Sequence, residues 1–162
     1  MLRTLLLLAV ALLLTPVRVV AAPALNGRPP DFSLGTAGGE TLHLRDLIGH
    51  DRLLIAFRPA VRDLRAIESR ATDFRDRDLR VLVIVPPTSS LLRERWAAPV
   101  TVLADPGDTT SAAYGASTPR SFLVGKDGGV KGVYGDVPGA TELFATIDAM
   151  PMRQQERRAR GR

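Results

Sequence analysis

Three apolar runs constrain the fold of this chain more than any other feature. They are RLLIAFRP at 52–59, LRVLVIVPP at 79–87 and VTVLAD at 100–105. A strand in which apolar and polar residues alternate has one face exposed to solvent. A nearly continuous apolar run is instead typical of a strand covered on both faces. The segment after the first run has helical spacing of its apolar residues, at Leu64, Ile67, Ala71 and Phe74. The pattern predicts an α/β fold with a mixed sheet between two layers of helices.

Shorter signals on either side complete the predicted order β-β-β-α-β-α-β-α-β-β-α. The N-terminal part contains a strand in GRPPDFSL and a second strand around Leu42 and Leu44. Beyond the apolar runs, the sequence predicts a hairpin that turns at 127–129. Helices are predicted in TSSLLRERWA at 88–97, in PGDTTSAAYG at 106–115 and in GATELFATIDAM at 139–150. The 162 residues suit one domain, expected at 25–152.

The first 24 residues have the pattern of a secretory signal peptide. Arg3 precedes ten unbroken apolar residues at 5–14, and small residues follow at Ala21 and Ala24, where cleavage is expected. A membrane-spanning helix needs about 20 apolar residues, so an uncleaved anchor is the lesser alternative. The sequence therefore predicts a periplasmic or secreted mature chain.

The basic charge of the chain is concentrated near its end. The formal net charge is +5, and loss of Arg3 and Arg18 with the signal would leave +3. The last ten residues, 153–162, hold five arginines and one glutamate, so the body from 25 to 152 carries −1. Nucleic-acid binding is not expected, because it needs a basic face on the fold itself. We expect residues 153–162 to be a solvated, frayed tail, with weak contact to anionic membranes as the alternative.

The chain has no cysteine, which excludes disulfides, thiolate metal sites and thiol nucleophiles. His43 and His50 are far apart in the sequence, and no phosphate-binding or dinucleotide-binding motif occurs. No metal and no cofactor is therefore predicted. Trp96 and Tyr114 are expected on helices, where they would pack rather than bind a ligand.

Four segments in order resemble the peroxiredoxin branch of the thioredoxin fold, the alkyl hydroperoxide reductase and thiol-specific antioxidant group. They are PDFSL, GETLHLRDLIGHDRLLIAFRPA, LADPGDTTSAAYGAS and TPRSFLVGKDGGV. The resemblance spans about Pro30 to Val133. It implies a thioredoxin-like three-layer sandwich with a redoxin-style N-terminal β extension. From Phe122 to Glu156 the chain also resembles a bacterial family of exported thioredoxin-like proteins of unknown function.

The resemblance places a degenerate active site at the junction after the first apolar run. Peroxiredoxins have a proline, a threonine four residues later and the reactive cysteine three residues further. In that register Pro59 keeps the proline, Asp63 replaces the threonine and Ala66 replaces the cysteine. The C-x-x-C of thioredoxins is missing too. Alanine cannot attack a peroxide, so thiol peroxidase and disulfide exchange activities are not expected.

Two hypotheses concern the residues around that junction. Asp63 is expected in the first helical turn, where its carboxylate would meet the positive end of the helix dipole. The hypothesis is that it pairs with Arg120. The alternative is that this aspartate only stabilises the start of the helix and that Arg120 points to water. TPRSFLV matches a thioredoxin pattern, which predicts a cis peptide bond before Pro119, with a trans proline at a strand start as the alternative.

The predicted function is that of an exported, thiol-less and non-catalytic protein that binds a protein or peptide. Its binding groove would be formed by Pro59, Asp63, Pro87, Pro119 and Arg120. The alternatives are an antioxidant activity by a route without cysteine and a membrane-surface adaptor that uses the arginine-rich tail. The sequence names neither the partner nor the oligomeric state.

Overall fold

A seven-stranded mixed sheet forms the centre of the protein. The structure is a computed structural model that describes residues 22–24 and 26–161. Most of the predicted signal peptide, including the cleavage position at Ala21, lies outside the described residues. The sheet has the order β2-β1-β5-β4-β3-β6-β7. Its strands are β1 Ser33–Thr36, β2 Thr41–His43, β3 Arg52–Phe57, β4 Leu79–Val85, β5 Val100–Ala104, β6 Arg120–Val124 and β7 Val130–Tyr134.

The three apolar runs are the three parallel strands at the centre of the sheet. β3 pairs with β4 and β4 with β5 in parallel, whereas β6 lies antiparallel to β3. All six residues of β3 are buried, as expected for a strand covered on both faces. Leu54 faces one core cluster, and Leu53 and Ile55 face the other. The prediction of a thioredoxin-like α/β sandwich is confirmed.

Five helices cover the sheet, and none in the described part of the chain combines the length and apolarity needed to span a membrane. On one face, Phe74 and Phe144 pack edge to face, with ring centroids 5.1 Å apart. On the other, Tyr114 packs between Phe57 and Phe122 at 5.0 and 5.2 Å. The helices are α1 Val61–Glu68, α2 Ala71–Asp76, α3 Thr109–Ala113, α4 Ala140–Asp148 and α5 Pro151–Arg160.

Three helix predictions differ from the structure. The helix predicted from Ala60 to Phe74 is broken between α1 and α2, where the Ser69 hydroxyl donates to the carbonyl of Ala66 at 2.7 Å and competes with the helical backbone. The helix predicted at 106–115 begins only at Thr109, because Gly107 and Asp108 have positive φ angles of 68° and 54°.

The third difference is at 88–97, where only Ser90–Arg93 forms a 3₁₀ turn. Glu94 has extended backbone angles that end the turn. The Trp96 indole donates to the carbonyl of Leu91 at 3.0 Å, which holds the following segment in an irregular path. Trp96 is therefore not helical, although it packs against the core as predicted.

The expected frayed tail is instead the packed helix α5. Pro151 stands in its first turn, where the missing N–H of proline costs no hydrogen bond. Arg153 is only 7% exposed, and its guanidinium donates to the carbonyl of Asp76 at 2.7 Å. The expected domain end at residue 152 therefore falls inside α5. The segment packs as a helix because its arginines pair with carboxylates and carbonyls of the body.

The ion pairs of α5 centre on Arg52, which is 1% exposed although it belongs to the central strand β3. Its guanidinium contacts the Glu156 carboxylate at 3.1 Å and donates to the carbonyl of Arg77 at 2.9 Å. Lys126 contacts the same carboxylate at 2.9 Å. Burial by itself would raise the pKa of Glu156, but Lys126 and Arg52 outweigh it and hold that pKa below its ordinary value.

Glu156→Ala should lower the free energy of unfolding by about 3 kcal/mol, because it leaves the charge of Arg52 buried without a carboxylate. Urea unfolding at neutral pH measures the loss. Glu40→Ala is the matched control, because the Glu40 side chain is exposed. Its effect should stay within about 0.5 kcal/mol. Equal losses in the two variants would show that α5 does not neutralise Arg52.

Candidate functional site

The carboxyl ends of β3, β4 and β5 meet at one edge of the sheet, the position at which ligands gather in open α/β folds. Arg58 follows β3 directly and has a φ of +50°, which is uncommon for a residue with a side chain. Such a backbone costs about 1 kcal/mol and persists only where its surroundings hold it. The strain marks the junction between β3 and α1 as a candidate functional site.

The Arg58 side chain joins that junction to the loop before β6. Its Nη1 donates to the carbonyls of Ala116 and Ser117 at 3.0 and 3.1 Å. Its Nη2 contacts Oδ1 of Asp108 at 2.8 Å. A guanidinium that satisfies two loop carbonyls and one carboxylate fixes the mutual position of three chain segments. An open cleft of about 480 Å³, the Arg58 cleft, is lined by Arg58, Asp108, Ser111, Ala112, Gly115, Ala116 and Ser117.

A fully buried carboxylate, Asp105, holds α3 below this cleft. It accepts hydrogen bonds from the backbone N–H groups of Thr110 and Ser111 at 3.0 and 2.8 Å and from the Ser111 hydroxyl at 2.8 Å. Burial opposes ionisation, but these donors outweigh it and keep the pKa of Asp105 below its ordinary value. Asp105 therefore positions Ser111 on the cleft wall.

Asp63 and Ala66 lie on a second, smaller cleft. Asp63 is in the first turn of α1, as predicted, and contacts Arg62 at 3.4 Å. Ala66 is exposed one turn later on the same side of the helix. The cleft is open, has a volume of about 140 Å³ and is called the Asp63 cleft. Its walls are Asp63, Ala66, Ile67, Arg70, Phe74 and residues 137–140.

The structure does not bring the predicted groove residues together in one cleft. Pro59 is buried at the junction, whereas Pro87 and Pro119 are exposed. None of these prolines lines the Arg58 cleft or the Asp63 cleft. Of the predicted groove residues, Asp63 lines the Asp63 cleft, and a binding groove at this junction stays a prediction.

The hypothesis that Asp63 pairs with Arg120 is wrong. Asp63 has Arg62 as its ion-pair partner, and Arg120 donates to the carbonyl of Gly115 at 3.4 Å. Arg120 begins β6 opposite Phe57, so its backbone is held in the sheet and its side chain follows the loop before β6.

The peptide bond before Pro119 is trans, so that prediction is also wrong. The cis peptide bond in the described part of the chain precedes Pro99 instead. Pro119 stands directly before the first residue of β6, and a trans proline is readily accommodated at the start of a strand.

The remaining residues considered in the sequence analysis make contacts within the fold. The Tyr114 hydroxyl donates to the carbonyl of Pro30 at 2.8 Å, and burial raises the pKa of this phenol far above its ordinary value. His43 contacts the Ser33 hydroxyl at 2.8 Å. Within residues 22–24 and 26–161, no three potential ligands are grouped to hold a metal ion. The linings of the two clefts combine hydrogen-bonding, charged and apolar groups.

Sequence reasoning missed Arg58, Asp105 and Asp108. Arg58 stood inside the strand signal, and the sequence carries no mark of its positive φ. The LADPGD segment did contain a signal, because an aspartate directly before a helix is a common helix-capping residue. The contact between Arg58 and Asp108 joins residues 50 positions apart, which no local pattern predicts.

Asp105→Asn should lower the free energy of unfolding at pH 7 by about 2 kcal/mol, because a charged acceptor of three hydrogen bonds is lost. The variant should also lose less stability in acid. A lowered folded-state pKa gives stability that is present above the unfolded value of 3.8 and disappears as the pH falls through the folded value. Urea unfolding from pH 7 to pH 2 measures both effects. If the free energy of unfolding fell with pH equally in the unchanged protein and in Asp105→Asn, the lowered pKa of Asp105 would be contradicted.

A thiol introduced at the peroxiredoxin position should stay unreactive. Ala66 is the sixth residue of α1, and the effect of the helix dipole falls off within the first turn. We expect the Ala66→Cys thiol to have a pKa near the ordinary thiol value of about 8.5. It should give no peroxide consumption above the cysteine-free protein.

Val61→Cys is the matched control, because Val61 is the first residue of the same helix and is 43% exposed. Its thiol pKa should be lower than that of Ala66→Cys by about one unit. The pH dependence of alkylation by iodoacetamide measures both values. Peroxide turnover by Ala66→Cys would instead reveal a preserved catalytic site.

Solved structures with the same architecture include thioredoxins and peroxiredoxins. A candidate thioredoxin from Neisseria meningitidis has a TM-score of 0.61 and 27% identity, covering 74% of this chain and 87% of that chain. The pneumococcal exposed lipoprotein thioredoxin from Streptococcus pneumoniae has a TM-score of 0.57 and 20% identity, covering 75% and 100%. The mitochondrial 2-Cys peroxiredoxin from Plasmodium falciparum has a TM-score of 0.63 and 17% identity, covering 78% and 93%.

These similarities confirm the thioredoxin-like fold and the resemblance to thioredoxins and peroxiredoxins, in a chain that lacks cysteine. A search of curated proteins finds no significant match. A family profile described as "Domain of unknown function (DUF4174)" matches residues 43–156, which is more than half of the chain. The match includes the junction between β3 and α1, both clefts and the first half of α5. The protein therefore belongs to the DUF4174 family.

Proposed function

We propose that the protein is an exported, non-catalytic binding protein that receives a peptide or protein segment at the carboxyl edge of its sheet. The observation that carries the proposal is the combination of a thioredoxin-like fold with a chain that has no cysteine. Thiol peroxidase and disulfide exchange chemistry both require a sulfur nucleophile. The clefts beside the junction remain open without it.

The Asp63 cleft supplies the apolar part of the proposed binding surface. Ile67 and Phe74 form its floor, and residues 137 and 138 form the opposite wall. Asp63 and Arg70 add one charge of each sign to the lining. A small apolar pocket with a few polar groups suits one anchoring side chain of a partner segment.

The Arg58 cleft supplies a preorganised polar part. Because the guanidinium of Arg58 already satisfies the carbonyls of residues 116 and 117, the loop before β6 is held in place before a partner arrives. Binding to an ordered loop avoids part of the entropy cost of association.

Export rests on the sequence pattern of the first 24 residues. The exposed lipoprotein thioredoxin of Streptococcus pneumoniae offers a precedent for this fold outside the cytoplasm. We propose the same type of location for this chain, as a periplasmic or secreted protein.

Neither cleft supports the alternative of antioxidant activity without cysteine. Their linings contain no methionine, tyrosine or tryptophan, which are the side chains left in this chain for oxidation by peroxide. The membrane-adaptor alternative is weakened because α5 uses Arg153 and Arg160 in contacts with the body.

The test places a photo-crosslinking amino acid at Ala66 in the full-length protein expressed in its native cells. Ala66 is exposed on the Asp63 cleft, and the matched control, Ala145, is exposed on α4. The crosslinked segment is identified by mass spectrometry, and a synthetic peptide of that sequence is titrated by fluorescence anisotropy. We expect the Ala66 position alone to capture a recurring segment.

Ala66→Arg should weaken peptide binding about tenfold or more, because the arginine would fill the cleft and cost about 1.4 kcal/mol of binding energy or more. Ala145→Arg should bind like the unchanged protein. Equal capture at both positions, or equal affinities for the two arginine variants, would remove this edge of the sheet as the binding site. If both arginine variants still bound the peptide equally well, the peptide would bind at another surface.

A further inference from the structure

A third cleft lies at the opposite end of the sheet from the junction between β3 and α1. The turn between β6 and β7 forms one side of it, and the beginning of α5 forms the other. Its volume is about 330 Å³, within the range of sites for small molecules. We name it the α5 cleft. Arg52, Lys126 and Lys131 contribute a cationic wall, and Met150, Pro151 and Met152 contribute an apolar wall.

The first turn of α5 enters this cleft without a cap. Met150 precedes the helix and offers no side-chain acceptor, and no acidic residue stands in the first turn. The backbone N–H groups of Met152 and Arg153 have no acceptor among the described residues. Free N–H groups and the positive end of a ten-residue helix favour an anion at this point.

The ion-pair network behind the cleft has an excess of positive charge. Three carboxylates, those of Asp78, Asp148 and Glu156, are shared among five cationic side chains. The network therefore carries a net charge of +2, although each cation lies within 4 Å of a carboxylate. Buried charges are normally paired, because leaving water without a counter-charge is costly. The five cations are Arg52, Arg77, Lys126, Arg153 and Arg160.

Arg52 provides an independent observation, because one of its buried N–H groups has no acceptor in the described part of the chain. The residue lines the α5 cleft, its side chain is 99% buried, and its Nε has no acceptor among the described residues. A buried guanidinium N–H without an acceptor loses the hydrogen bond that it would make in water. A ligand anion in the cleft supplies counter-charge where the network has too little.

We propose that the α5 cleft binds a small monocarboxylate with an apolar chain. The carboxylate lies at the first turn of α5, facing Lys126 and Arg52, and the chain lies against Met150, Pro151 and Met152. Asp127, the carboxylate on the rim, is already paired with Lys131 at 2.6 Å, and this pair lowers the repulsion of an anion. The site is separate from both clefts at the other end of the sheet.

Three probes distinguish binding of the carboxylate from binding of the apolar chain. Octanoate carries the carboxylate and the chain, acetate carries the carboxylate alone, and octyl glucoside carries the chain alone. Each is titrated against the full-length protein below its micelle concentration, by calorimetry and by thermal unfolding. We expect saturable one-to-one binding of octanoate with a rise in Tm, and at least tenfold weaker binding of the other two.

Met152→Glu provides a variant that competes with the ligand from within the protein. A glutamate in the first turn of α5 meets the free N–H groups and the helix dipole, so it should raise Tm without ligand and abolish octanoate binding. Met152→Gln is the matched neutral control and should retain binding. Lys131→Gln, which removes a rim cation, should weaken octanoate binding severalfold.

Absence of saturable octanoate binding to the folded protein would overturn the proposal. Equal binding by Met152→Glu and Met152→Gln would overturn it too, because the anion would then lie elsewhere. Binding of acetate as tight as that of octanoate would remove the apolar chain from the ligand class. Crosslinking at Ala66 is read out separately at the opposite end of the sheet, so failure there leaves this site unaffected.

Discussion

The charge of Arg52 is the constraint on which the arrangement of the chain end depends. A central strand buried on both faces normally contains only apolar residues, yet β3 begins with an arginine that is 1% exposed. A buried guanidinium needs a carboxylate, and the one available is Glu156 on α5. A helix rich in arginine is therefore packed against a body that also carries many arginines, because the carboxylates between them are shared.

The two ends of the sheet differ in how their charged side chains are neutralised. At the carboxyl edge, one guanidinium, that of Arg58, is satisfied by two carbonyls and one carboxylate, and the backbone accepts a strained φ to place it there. At the amino edge, many cations share few carboxylates, and the surplus is held beside an uncapped helix. The charges at the carboxyl edge are thus satisfied internally, whereas those at the amino edge leave an excess of cations over carboxylates.

The sheet was predictable from the sequence because its signal is local and strong. The three apolar runs became β3, β4 and β5 with nearly the predicted bounds, since full burial allows little else in those positions. The site was less predictable. Arg58 acts through a positive φ and a partner 50 residues away, and the register with peroxiredoxins drew attention to Pro119 and Arg120 instead. Long-range pairing and backbone strain leave little trace in a single sequence. The same reason explains α5, whose composition resembles a solvated tail until its partners on the body are known.

The contact between Arg52 and Glu156 spans 104 positions of the chain. The central strand is made before the carboxylate that neutralises its first residue. Until then, β3 can pair with its neighbours only with an uncompensated charge at its end, which disfavours the closed sheet. Completion of the fold is thereby coupled to the synthesis of α5. The order of the chain therefore places this charged contact after all seven strands of the described sheet have been made.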